Sequence, residues 1–115
     1  DWAESFVATT LLLKPLIDHL ILVRWPQQAS KSDDPRLPLI AASLYEDCRW
    51  HADLNFGLAR NLAAANPDNR VIINDAVERW QPVTHAAVAA LSHSLIGDAE
   101  VTSPPELQAL LRGEA

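Results

Sequence analysis

The chain has one cysteine, no methionine, three glycines and no run of lysine or arginine among its 115 residues. Each shortage excludes something. A single thiol rules out an intrachain disulfide framework and a cysteine-built zinc site, and it fits a reducing cytoplasm. Gly57, Gly97 and Gly113 are too scattered to form a phosphate-cradling loop or a dinucleotide fingerprint. Nine basic residues stand against fifteen acidic ones, a formal charge of −6. Without a basic stripe to neutralise phosphates, nucleic-acid binding is disfavoured. Position 1 is Asp and not Met, so a processed or incomplete chain is expected.

The histidines lack partners of a particular kind. A carboxylate-bridged metal pair in a helical bundle needs Glu-x-x-His motifs, which put a carboxylate and an imidazole one turn apart on the same face. The residues three before His19, His51, His85 and His93 are Leu16, Cys48, Pro82 and Ala90. None is a carboxylate, so no metal ligand is expected in this chain.

What the chain does have is apolar substance: 49 % hydrophobic against 21 % charged residues, a globular balance and not a disordered one. Residues 6–23 are apolar enough to suggest a membrane span. Lys14, Pro15, Asp18 and His19 sit at the centre, where charges cost a few kcal/mol each in hydrocarbon. Asp1 and Glu4 stand where a signal peptide carries basic residues. A buried helix with no membrane role is the better reading.

Four helices account for the pattern. The first covers about residues 2–24, with Phe6, Leu13, Leu16, Ile17, Leu20 and Val23 at three-and-four spacing and more leucine and isoleucine on the other sides. Pro15 should kink it near Leu11. Residues 25–36, polar and holding two prolines, read as a loop. A second helix with Pro38 in its first turn runs to about residue 65, its seam Leu37, Ala41, Leu44, Cys48, His51, Asn55, Leu58 and Leu62.

Asn66-Pro67-Asp68 ends that helix, and Asp68 or Asn69 is expected to cap the third, over residues 69–95. The third presents Ile73, Val77, Trp80, Ala87, Leu91 and Leu95 on one face, with a bend expected at Pro82 and Gly97 as its C-terminal cap. Ser103-Pro104-Pro105-Glu106 resembles a capping box opening a short helix that ends near Arg112. Residues 1–115 therefore form one all-α domain. Three helices, one of them short, should leave part of the first uncovered, and such a patch usually marks a partner surface.

Residue types that carry chemistry are present but poorly arranged. Cys48 and His51, one turn apart, suit a thiolate–imidazole pair, yet a mid-helix nucleophile has no oxyanion hole, and buried packing is the plainer reading. Asp47 and His51 supply two metal ligands at most. Asp18-His19 and Ser92-His93-Ser94 are neighbours that point in different directions, as helix-surface groups do. Arg49 and Asp53 are spaced as a surface ion pair. Four tryptophans on so small a bundle favour partner contact.

Three blocks, taken together, are similar to a known family. Asp1-Trp2-Ala3-Glu4-Ser5-Phe6-Val7-Ala8, continuing through Leu13-Lys14-Pro15-Leu16-Ile17-Asp18, resembles D-W-G-E-A-F-V-A-L-N-L followed by K-P-L-L-D. That stretch belongs to β subunits of bacterial multicomponent monooxygenase hydroxylases, in the toluene monooxygenase and phenol hydroxylase branch. Leu44-Tyr45-Glu46-Asp47 with Arg49-Trp50 looks like the family's acidic-then-Arg-Trp helix. Residues 66–82, from Asn66-Pro67-Asp68-Asn69-Arg70 to Trp80-Gln81-Pro82, are similar to N-P-A-N-R-x-V-I-Q-G-W-I-D-K-W-x-P. Asp75-Ala76 replaces the family's Gly-Trp, and Ala3 its Gly.

The resemblance implies a ferritin-like (ribonucleotide-reductase-like) helical bundle without the metal site, corresponding to the C-terminal third of a larger subunit. It implies a non-catalytic scaffold role in hydroxylating aromatic hydrocarbons or phenols with O₂ and NAD(P)H-derived electrons. No cofactor is then expected in this chain. A catalytic α subunit would hold the di-iron centre, with a reductase and a coupling protein acting indirectly and the complex a cytoplasmic hetero-oligomer. No catalytic residue carries over. Phe6, Leu13, Ile17, Trp50 and Trp80 are the expected subunit contacts. An unrelated all-helical interaction or regulatory domain is the other reading, and a self-contained enzyme a third.

Elemental analysis of the isolated, refolded chain should find well under one iron per chain. Stoichiometric, chelator-resistant iron would contradict the reading of the histidines.

Overall fold

A computed structural model describes residues 1–29 and 34–112 of the chain. Helix α1 covers residues 2–29, α2 spans Arg36–Ala65, α3 spans Pro67–Ile96 and α4 spans Pro105–Leu111. Among the described residues there is no strand, and the fold is an all-α bundle of 52 × 25 × 22 Å, consistent with a ferritin-like arrangement.

Helix α1 starts where the Asp1 carboxylate accepts the Ala3 amide at 3.0 Å, so that one of the four free donors of the first turn is satisfied. It is not uniform. Trp2–Ser5, Lys14–His19 and Trp25–Ala29 are α-helical, whereas Phe6–Leu13 and Leu20–Arg24 are wound as wider π turns. Each π stretch ends two residues before a proline, Pro15 or Pro26. At both junctions the residue before proline bonds five residues back, Lys14 to the Thr9 carbonyl and Trp25 to the Leu20 carbonyl. A proline ring collides with the carbonyl four residues earlier, and a wider turn gives it room. Pro15 therefore passes through the helix without ending it, as expected. Pro26 does the same, so residues 25–29 extend α1 where a loop was expected; the rest of that loop lies partly outside the described residues.

The core forms around α1. Val7, Leu11, Leu12, Leu16 and Leu20 meet Phe56 and Ala59 of α2, Ile73, Ala76, Val77 and Val88 of α3, and Leu107 and Leu110 of α4. Phe6, Leu13, Ile17 and Ile21 are half-buried against the same cluster. The wrapping is incomplete, as expected: Trp2 and Trp25 of this helix stay exposed. By length and apolarity residues 2–28 meet the test for a membrane span, but here the segment is the bundle's central helix.

The seam of α2 differs from the one expected. Ala41, Phe56 and Ala59 are buried, with Ala52 and Leu62 partly so, while Leu44, His51 and Leu58 are exposed. A helix lined with leucine on its neighbour leaves little room. The thin, alanine-bearing face of α2 allows the closer approach, and helix spacing follows the side chains at the contact.

Helix α3 is capped by Asn66, whose side chain accepts the Asp68 amide at 2.9 Å, and not by Asp68 or Asn69. Asn69 instead donates to the Leu62 carbonyl and ties α3 to the end of α2. The helix continues unbroken through Pro82. Its buried row runs Ile73, Val77, Thr84, Val88 and Ser92 with Trp80 half-buried, in place of Ala87, Leu91 and Leu95. Such a row advances by four residues, along a ridge tilted about 26° to the helix axis. A stripe drawn straight along the helix misses it in the C-terminal half.

Gly97 ends α3 with φ 71°, and its amide returns to the His93 carbonyl, as expected of a left-handed glycine cap. The capping box at Ser103 does not form. Pro104 is the cap residue of α4 and makes no side-chain cap, and the Ser103 carbonyl accepts the Gln108 side chain at 2.8 Å.

Leu11 is completely buried at the centre of α1, whereas Leu39 near the start of α2 is 73 % exposed. Leu11→Ala should cost about 2–5 kcal/mol by lost burial plus a cavity, and Leu39→Ala less than about 0.5 kcal/mol. Urea titrations followed by circular dichroism check both values.

Candidate interaction surfaces

Of the residues with catalytic side chains, Cys48, His51, Lys14 and Asp18 line one small pocket between α1 and α2. Cys48 lies beside α1, its sulfur 3.8 Å from Lys14 Nζ, and Lys14 pairs with Asp18 at 2.6 Å. Burial pushes the Cys48 thiol up, the Asp18 carboxylate adds to this and Lys14 opposes it. A thiol raised in this way stays protonated at neutral pH and is a poor nucleophile. His51 faces outward, its ring centroid 5.5 Å from that of Trp50. Among the described residues no hydrogen bond joins Cys48 to His51, and the raised thiol disfavours a thiolate–imidazole pair. Arg49 does not take Asp53 as its partner but reaches Glu106 of α4 at 3.8 Å, a contact that pins the short helix to α2.

The four histidines occupy different places. His19 is half-buried in α1 with its ring edge-on to Tyr45 of α2, centroids 5.9 Å apart. His51, His85 and His93 are exposed on α2 and α3. Among the described residues, no three histidine, cysteine or acidic side chains come together in a way that would hold a metal ion.

A polar cluster fastens one end of the bundle. The Arg24 guanidinium, with 13 % of its side chain exposed, donates to Ser92 Oγ at 3.1 Å, to Asp98 Oδ2 at 3.2 Å and to the Glu100 carbonyl. The Ser92 hydroxyl, fully buried, donates to the Asp98 carbonyl. Ser92 thus works inside the structure, not as the helix-surface group expected. Arg24 and Ser92 supply donors to a connection between α3 and α4 that has no helix to satisfy its carbonyls. At the other end of α1, Glu4 pairs with Arg79 of α3.

Of the five expected contact residues, Phe6, Leu13, Ile17 and Trp80 are half-buried against the chain's own core. Trp80, Leu13 and Val83 line a shallow apolar groove between α1 and α3, in which the Trp80 indole N–H is buried without a hydrogen-bond partner. Trp50 alone of the five is largely exposed, at 65 %. Around it, Leu39, Ile40, Leu44, Leu54 and Leu58 are also exposed. At 100° per residue Leu39, Ile40, Trp50, Leu54 and Leu58 fall on the side of α2 away from buried Ala41, Phe56 and Ala59, and Leu44 flanks the buried row. Uncovered apolar surface therefore lies on α2 and α3 as well as on α1, with the most exposed leucines on α2. The spacing that predicted a core seam was reporting part of an outward face.

Burial, with Arg24 nearby, holds His19 below its ordinary 6.5. The folded chain therefore favours neutral imidazole, whereas the unfolded chain binds a proton near pH 6.5. This contribution is present above 6.5 and is lost as pH falls through 6.5 toward the lower folded value. Stability should decline over that acidic window, and His19→Gln should flatten the slope there. Denaturant midpoints measured at half-unit pH intervals check this; an unchanged slope would show that His19 is not responsible.

Residues 1–66 match the family model described as methane/phenol/alkene hydroxylase. The chain is also 35 % identical over 98 residues to the β subunit of the hydroxylase component of a toluene-4-monooxygenase system from Ectopseudomonas mendocina. That similarity covers 85 % of this chain and 30 % of the relative, so the chain spans about a third of the relative's length. No solved structure matches. The resemblance seen in the three sequence blocks is thus supported independently: the chain belongs to the methane/phenol/alkene hydroxylase family and, within it, is similar to a β subunit.

Proposed function

We propose that the chain is part of the non-catalytic β subunit of a multicomponent soluble di-iron monooxygenase hydroxylase. One observation carries the proposal: a family built around hydroxylation supplies the sequence, yet no described cluster offers metal ligands. A catalytic subunit of this kind needs Glu-x-x-His pairs facing one another. Here the residues three before each histidine are Leu16, Cys48, Pro82 and Ala90, and the histidines are dispersed. The iron and the activation of O₂ then belong to a partner α subunit, with electrons from NAD(P)H arriving through a reductase and a coupling protein. This chain's part is to hold the catalytic subunit in place. Aromatic hydrocarbons or phenols are the proposed substrates, after the toluene-4-monooxygenase relative. The complex is proposed to be cytoplasmic and hetero-oligomeric.

The experiment is co-purification. The tagged protein, co-expressed with the catalytic subunit of the same system, should recover it in one-to-one ratio, with all the iron in that subunit. Hydroxylation of toluene or phenol should require both subunits together with reductase and coupling protein. The tagged protein alone should be inactive. Iron bound by this chain, or no association with a catalytic subunit, would overturn the proposal.

A further inference from the structure

Helix α2 turns its larger apolar side chains away from the bundle. Trp50 is 65 % exposed, Leu54 61 % and Ile40 58 %, with Leu39 and Leu58 beside them. The row covers residues 39–58, about five helical turns at 3.6 residues each. Within it Trp50, Leu54 and Leu58 follow one another by about one turn, and such anchors, with a tryptophan among them, are what a docked helix uses. Charge distinguishes among possible occupants. Glu46, Asp47 and Asp53 lie within four residues of Trp50, are exposed, and take part in no ion pair among the described residues, whereas Arg49, the one lysine or arginine in that window, is drawn to Glu106 of α4.

This acidic centre argues against a second copy of the chain. Residue 50 sits at the middle of α2, so an antiparallel pairing of two α2 helices would set Asp47 of each copy against Asp53 of the other. A parallel pairing sets each carboxylate against its own equivalent, and like charges facing each other select against a partner. An anionic lipid surface is disfavoured for the same reason. A helix with apolar anchors and flanking Lys or Arg fits both the apolar row and the carboxylates.

We infer that the outer face of α2 is the seat of a basic amphipathic helix of the catalytic partner subunit. This rests on the β-subunit reading and adds to it a face and the chemistry of the element that docks there. Trp50, Leu54 and Leu58 supply the apolar contact, and Asp47 and Asp53 set which helix is accepted.

The test uses the co-expressed complex, with a photo-crosslinking residue placed at Leu54 and, as control, at exposed Val83 of α3. Leu54 should crosslink to a helical, Lys- or Arg-flanked segment of the catalytic subunit, and Val83 should not. Trp50→Ala with Leu54→Ala should weaken the complex at least tenfold in a binding titration. Asp47→Lys with Asp53→Lys should weaken it more than the Asn pair at the same positions. All five positions of substitution are exposed, and far-UV circular dichroism verifies that the variants fold. An intact complex with no α2 crosslink and no loss of affinity overturns this inference while leaving the β-subunit reading in place. Crosslinking to a second copy of the chain also overturns it. Failure of the unmodified protein to bind the catalytic subunit overturns both.

Discussion

A helix apolar on all sides has to be wrapped, and most of this fold follows from that requirement. Helix α1 buries Val7, Leu11, Leu12, Leu16 and Leu20; Phe6, Leu13, Ile17 and Ile21 are half-buried against the same cluster, and Trp2 and Trp25 stay exposed. Burying a leucine or valine is worth about 1.5–3 kcal/mol relative to leaving it exposed, so each uncovered side carries a real cost. α2, α3 and α4 all lay residues against the same helix. The charged groups of α1 are handled in place, Lys14 by Asp18 and Arg24 by the α3–α4 connection.

The prolines show how this central helix stays continuous. Pro15 and Pro26 each remove a backbone donor, and in a regular α-helix each ring would press on the carbonyl one turn back. The wider turns before them relieve the clash without breaking the rod. Pro82 of α3 is carried within a helix as well, where the Thr84 hydroxyl donates to the carbonyls of Trp80 and Gln81. A broken α1 would not present one uninterrupted apolar surface to three partners.

Packing close to a leucine-rich helix selects small residues on its neighbours, and this shapes the outer surface too. α2 puts Ala41, Ala52 and Ala59 with Phe56 inward, which leaves Trp50, Leu54 and Leu58 outward. The inside and outside of one helix are thus two consequences of one constraint. On that outer face the exposed apolar side chains lie among Glu46, Asp47 and Asp53, which take part in no ion pair among the described residues. The residue types that suggested chemistry, Cys48, His51 and Ser92, are occupied by or directed toward structural contacts.

The sequence by itself determined the helical class, the near-continuous run of helix through Pro15 and Pro82, and the glycine cap at Gly97. These depend on local rules: apolar spacing, proline sterics and left-handed backbone conformation act within one or two turns. The three family blocks were also legible, because they are patterns along the chain. Only the tertiary structure decided which face of α2 and α3 is buried. Leu44 and Leu58 fit a seam as well as Ala41 and Ala59 do until the bulk of α1 is present to choose the thinner face. The Arg24–Ser92 contact is equally invisible along the chain, because its partners lie 68 residues apart and only the folded bundle brings them together.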